Sequence, residues 1–161
     1  MNRLYFGYTT MTHGIKGELK CYTSFEQKEK VLTKKFPIYI NGTRHEITSA
    51  RPHKNHYLIT IDNLKDINLV EEYRNQKIYI ERDDLHLKEE EYLFSDLIGF
   101  SIIEIEENLG IVKDILYNKS GIYLEVLNEK KYYIPWQDTF ILRIDTKNKQ
   151  ILVQNAKGLM L

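Results

Sequence analysis

Turn signals recur every eight to twelve residues in the first half of this chain, and between them apolar residues alternate instead of falling at helical spacing. Six such strands and one short helix argue for a small closed barrel, because closure removes the exposed edges of so short a sheet. The firmest signal is Asn41-Gly42, set between strand-like runs at 37–40 and 43–49. Both residues tolerate the positive φ of a type I′ turn, which predicts a two-residue hairpin.

The other runs follow the same period. Leu4, Phe6 and Tyr8 share a face over 4–10, Leu19 and Cys21 face inward over 18–22, and Tyr57, Ile59 and Ile61 share a face over 57–61. Residues 77–81 add a sixth strand. Residues 25–35, with Val31 and Leu32 among lysines and no Gly or Pro, read as a short surface helix or an ordered loop. Leu69, Val70 and Tyr73 form one helical stripe over 68–74, with Asn68 as N-cap, Glu71 supporting it and Asn75 closing it in the left-handed conformation. A charged stretch at 81–88 has little to bury and leads into further strand-like runs at 101–105, 109–117, 122–127, 131–135, 140–144 and 150–153. The expected fold class is therefore all-β with one or two short helices, as two small β-barrels in tandem, the second a barrel or sandwich. The expected boundaries are a first domain at 1–84, a linker at 85–91 and a second domain at 92–161.

Composition excludes several classes. A single cysteine, Cys21, rules out an intramolecular disulfide framework and a multi-cysteine metal site, and fits a reducing, cytoplasmic setting. Its place on an inward strand face reads as a small buried hydrophobe. No apolar run approaches the ~20 residues that span a bilayer, and residues 1–5 lack a signal-peptide core, so membrane and secretory readings drop out. The zero net charge hides an asymmetry: through His56 ten Lys/Arg face four Asp/Glu, and beyond it thirteen face nineteen. A basic front and an acidic back suit a protein that touches nucleic acid with one part and a basic partner with another.

Thr12-His13-Gly14-Ile15-Lys16-Gly17 puts a histidine and a lysine in a glycine loop, which invites a phosphate cradle. A P-loop ends in Gly-Lys-Ser/Thr at a helix start, whereas here Glu18 opens a strand, so a nucleoside-triphosphate site is excluded. Two readings stay open: an RNA phosphate held by Lys16 and backbone amides, or glycines needed only for a sharp turn. His53 and His56, three apart in a turn, have no carboxylate or thiolate nearby in sequence and read as a solvated turn, not a metal site. The acids at Asp83-Asp84, 89–91 and Glu106-Glu107 read as solvated or partner-facing charge. Tyr92, Leu93 and Phe94 sit beside acids at the junction, either plugging the second domain or including an exposed anchor. Tyr132, Tyr133 and Trp136 lie on or just past one strand and cannot all face one side, so at least one is exposed.

The segments 12–19 (Thr-His-Gly-Ile-Lys-Gly-Glu-Leu), 51–54 (Arg-Pro-His-Lys), 66–75 and 91–99 (Glu-Tyr-Leu-Phe-Ser-Asp-Leu-Ile-Gly) together resemble the RimM family of ribosome maturation factors, the 16S rRNA processing proteins, over essentially the whole chain. The resemblance implies a translation-factor-like N-terminal barrel followed by a PRC-type barrel. It also implies binding to the free small (30S) ribosomal subunit, contact with a small-subunit head protein, the nineteenth of its series, and help in maturing the 3′ domain of 16S rRNA. No cofactor, metal or chemical reaction belongs to that role, and a monomer is expected. On this resemblance the partner-binding candidates are Tyr92, Leu93, Phe94, Tyr133 and Trp136. Candidates for RNA or ribosome contact are Thr12, His13, Gly14, Lys16, Gly17, Arg51, His53 and Lys54. The family commonly has two adjacent tyrosines at the junction; here Tyr92 matches the first and Leu93 stands at the second. The competing expectations are a general RNA-binding module acting through the basic front, and an enzyme using His13 and Lys16 on a phosphorylated substrate.

Overall fold

The computed structural model describes residues 3–161, and among these no helix is long and apolar enough to cross a membrane. Residues 1 and 2, the start of the expected first domain and of the stretch read for a signal core, lie outside the described residues. The chain divides into two compact units, one ending at His86 and one spanning Leu87–Leu161.

In the first unit β1 (Arg3–His13), β2 (Glu18–Tyr22), β3 (Phe36–Ile40), β4 (Thr43–His53), β5 (His56–Ile61) and β6 (Lys77–Glu81) form a closed barrel in the order β1-β2-β5-β4-β3-β6. Leu19, Ile38, Ile47, Ile59, Ile61 and Ile78 are fully buried in it. The expected hairpin is present: Asn41 (φ 51) and Gly42 (φ 78) turn the chain, and Ile40 pairs with Thr43. A second two-residue turn, Lys54-Asn55, pairs His53 with His56, so Pro52 and His53 belong to β4 and His56 opens β5.

The expected face of β1 is broken after Phe6. Tyr5 pairs with Tyr79 but Gly7 with Ile78, so two residues of β1 advance against one of β6, a β-bulge that exchanges the faces beyond it. Tyr8 is therefore 44% exposed and Thr9 takes the inward position. The buried Thr9 hydroxyl donates to the Tyr73 carbonyl and accepts the Gln76 N–H at 3.0 Å. That pairing of a polar group in the core offsets its desolvation.

The basic stretch at 25–35 contains α1 (Lys28–Val31), a single turn that buries Val31. The expected helix at 68–74 is instead two successive 3₁₀ turns, at 67–69 and 71–73. Their cap is Asp66, whose carboxylate accepts the Asn68 N–H at 2.8 Å, and not Asn68 itself. Val70 is buried but Leu69 is exposed, while Asn75 does adopt the left-handed conformation (φ 55).

The second unit contains β7 (Ser101–Glu104), β8 (Glu107–Asn118), β9 (Gly121–Leu127), β10 (Lys131–Pro135), β11 (Ile141–Asp145) and β12 (Gln150–Val153). They form one six-stranded sheet in the order β10-β9-β8-β7-β12-β11, antiparallel except for the parallel pair β12–β7. Leu97, Ile102, Leu124, Val126, Ile134 and Ile151 form its fully buried core. The run expected at 101–105 stops at Glu104, because Ile105 (φ 45) and Glu106 (φ 67) make the hairpin turn. A β-branched residue is uncommon in that conformation, and Ile105 is 93% exposed.

Candidate functional site

In the second unit the residues from Glu91 to Leu97 leave an extended segment and enter the 3₁₀ turn Phe94–Leu97. The Leu93 N–H donates to Asp96 Oδ2 at 2.9 Å, which fixes the start of that turn. Leu93 and Phe94 are only 2% and 9% exposed, so both of these partner-binding candidates are buried side chains, Phe94 within the core of this unit. Phe94 packs edge-on against Trp136 at 5.0 Å between ring centroids, and Tyr92 meets the same indole at 6.3 Å. Tyr92 and Trp136, both part-buried, line a groove of about 350 Å³ with Gln137, Asp138 and residues 141–144 of β11, a terminal strand of the sheet. Leu142 stands exposed in it, at an irregularity where Ile141 pairs with Val153 and Arg143 with Leu152.

Tyr133 is separated from this group. It is 45% exposed on the face of β10 opposite Tyr132 and Ile134 and does not line the groove. Tyr132 is buried, its hydroxyl donating to the Leu109 carbonyl at 2.7 Å. Burial, with Glu104 adding to it, pushes the Tyr132 phenol up to about 12.

The second set of candidates gathers on the first unit. Gly14 (φ 70) and Gly17 (φ 85) shape the loop between β1 and β2, and the Ile15 carbonyl accepts the Ile67 N–H at 3.0 Å. A Cβ at Gly17 would overlap the Leu64 carbonyl oxygen, whereas one at Gly14 would meet nothing. Gly17 is thus a packing requirement and Gly14 a conformational one. Lys16 is exposed at the loop, and Thr12 and His13 are half-buried at the end of β1. The His13 ring lies 4.9 Å from that of His53.

Arg51 makes a two-pronged ion pair with Glu18, Nε to Oε2 and Nη2 to Oε1, both at 2.9 Å. Its guanidinium ties β4 to β2, and the pairing holds the Glu18 carboxyl below its ordinary value. His56 does not sit in a solvated turn: it is 5% exposed and lies tilted between the rings of His53 and Tyr22, at 5.3 and 5.1 Å. Its burial depends on which strands pair across the barrel, a relation that local spacing does not carry. Among the described residues no group of three or more His, Cys, Asp or Glu is arranged to hold a metal ion.

The family model for the RimM N-terminal domain matches residues 4–85, and that for the PRC-barrel domain matches residues 89–160. The chain is 29% identical to the ribosome maturation factor RimM of an Exiguobacterium species, covering 99% of this chain and 98% of that one. It is 31% identical to that of Staphylococcus haemolyticus, covering 96% of each. The solution structure of the N-terminal domain of RimM from Thermus thermophilus covers 53% of this chain and 95% of its own at 17% identity and a TM-score of 0.47, a likeness too loose to bear on the fold.

Proposed function

The chain belongs to the RimM family, and on that premise we propose that it is a non-catalytic ribosome assembly factor that binds the free 30S subunit in the cytoplasm and assists maturation of the head, the 3′ domain of 16S rRNA. Relatives matching it over nearly their full length carry the name ribosome maturation factor, which supports a role in ribosome biogenesis. The observation that carries the finer reading is the pair Tyr92 and Trp136, propped by Phe94 and opening onto the β11 groove. Aromatic side chains held rigid from beneath lose little freedom on binding and concentrate interface energy. From Leu87 onward nine Lys/Arg face twelve Asp/Glu, a balance that suits a basic protein of the small-subunit head, the nineteenth of its series. Work would be done by binding energy: the factor holds one arrangement of the immature head and departs when the mature surface no longer fits.

A second reading is favoured by the first unit, where His13, His53, Lys20 and Lys54 meet on one surface. There the barrel would touch 16S rRNA directly. Phosphate neutralisation releases counterions, so this contact would weaken steeply with salt.

Truncating a central aromatic anchor costs ~2 kcal/mol, about thirtyfold in affinity. Tyr92→Ala and Trp136→Ala are therefore expected to weaken binding to purified free 30S subunits by that order, with the thermal transition of the first unit unchanged. Wild-type affinity in both variants would remove the groove as the docking site.

A further inference from the structure

Residues paired across a ladder share a face, and alternate residues along a strand share it too. The pairs His13–Glu18, Tyr8–Tyr22, Lys20–Leu58, Arg51–Leu58 and His53–His56 therefore share the outward register, opposite Leu19 and Ile59, with Leu58 and His56 themselves buried under their neighbours. Their rings form a continuous file: His13 to His53 at 4.9 Å, His53 to His56 at 5.3 Å, His56 to Tyr22 at 5.1 Å and Tyr22 to Tyr8 at 5.4 Å. The charges facing the imidazoles come from Lys20 and Glu18 on β2 and from Arg51 and Lys54 on β4 and its turn. Glu18 is already clasped by both prongs of Arg51. Nδ1 of His53 and Nε2 of His56 are buried with no hydrogen-bond partner, a costly state for ring nitrogens. The patch is rich in donors and cations and short of acceptors.

We propose that His13, His53, Lys20 and Lys54 form a phosphate-binding site on the outer face of the first barrel, occupied by a phosphodiester of RNA and coupled to proton uptake by His53. This rests on the reading that the barrel meets ribosomal RNA. Burial first, and then the neighbouring positive groups, hold His53 and His56 below the ordinary imidazole value, so near neutral pH both are uncharged in the empty site. A phosphate cancels the neighbouring charge and accepts from a protonated ring, so the bound site holds more protons than the free one. Affinity then rises as pH falls, by up to about tenfold per pH unit for each proton taken up.

The experiment follows the imidazole resonances of the isotopically labelled full chain against pH, alone, with inorganic phosphate and with a short oligouridine, alongside oligouridine affinity at pH 7.5 and 6.5. The expected result is an upward shift in the titration of His53 with the oligonucleotide, tighter binding at pH 6.5, and weaker binding at both pH values in Lys20→Ala and Lys54→Ala. His53→Gln is expected to flatten the pH dependence while the salt dependence remains; the wild-type titrations stand on their own if that variant misfolds. Imidazoles that respond to inorganic phosphate but not to RNA would assign a free-anion site and overturn the RNA ligand. RNA that binds equally at both pH values without moving the imidazoles would overturn this inference and leave the barrel's RNA contact standing. Failure of RNA to bind the barrel at all would overturn the reading beneath it.

Discussion

Replacing Gly17 by alanine tests whether the loop between β1 and β2 is held by packing. The left-handed conformation (φ 85) costs a residue with a Cβ ~1 kcal/mol. The added methyl would overlap the Leu64 carbonyl oxygen and lie 3.2 Å from the Asp66 nitrogen, both backbone atoms, so the 64–66 segment has to retreat. That movement strains the hydrogen bond from the Ile67 N–H to the Ile15 carbonyl, worth ~1 kcal/mol net. The total is about 2–4 kcal/mol. Gly14→Ala is the matched control, since it carries the same conformational cost (φ 70) with nothing near its Cβ, and should lose only about 1 kcal/mol. Native-state hydrogen exchange of the β1 and β2 amides, with urea unfolding of each variant, reads the difference. Equal losses in the two variants would refute the packing argument.

Tyr132→Phe removes the donor to the Leu109 carbonyl and leaves that acceptor buried, so the second unit should lose about 1–3 kcal/mol, read by urea unfolding followed through Trp136 fluorescence. Cys21 is fully buried and burial pushes its thiol up to about 12, so a thiol reagent at pH 8 should label the native protein only at the rate of barrel opening; prompt labelling would contradict the inward placement. Arg51 holds the Glu18 carboxyl low, so their contribution is present above the ordinary value of 4.5 and is lost as pH falls through the lowered one. The pair is partly solvated, so its contribution is small; Glu18→Gln should remove that loss from the acid limb of the stability–pH curve, and an unchanged limb would count against it.

The features legible in the sequence were those set by residues a few positions apart. Asn41-Gly42 announces its turn because few other pairs accept two positive φ values, and the short apolar runs at 77–81 and 131–135 are strands with those bounds. The bulge after Phe6 left no such mark: Leu4, Phe6 and Tyr8 alternate in sequence whether or not the partner strand slips, and only pairing with Ile78 shows that it does. Ile105 reads as a strand residue by its branching, yet it turns the chain, because the register of Glu104 with Glu107 leaves only two residues to do so. The candidate site divides the same way. The junction aromatics were visible by composition, but that Phe94 is buried against Trp136 while Tyr92 and Trp136 line a groove depends on packing within the second unit. His56 meets Tyr22 only because β2 pairs with β5 across the barrel.

The pairing order also governs when each unit can form as the chain leaves its own ribosome. Every strand of the first barrel has been made once Glu81 is synthesised, so that unit has all its partners while the second is still being translated. The second sheet cannot be completed so early: β7 waits for β12, some fifty residues later, and β11 has no other neighbour. A nascent chain stalled before Gln150 would carry a finished barrel tethered to an unfinished sheet. Synthesis of β12 is therefore what allows the sheet that bears the aromatic groove to be completed.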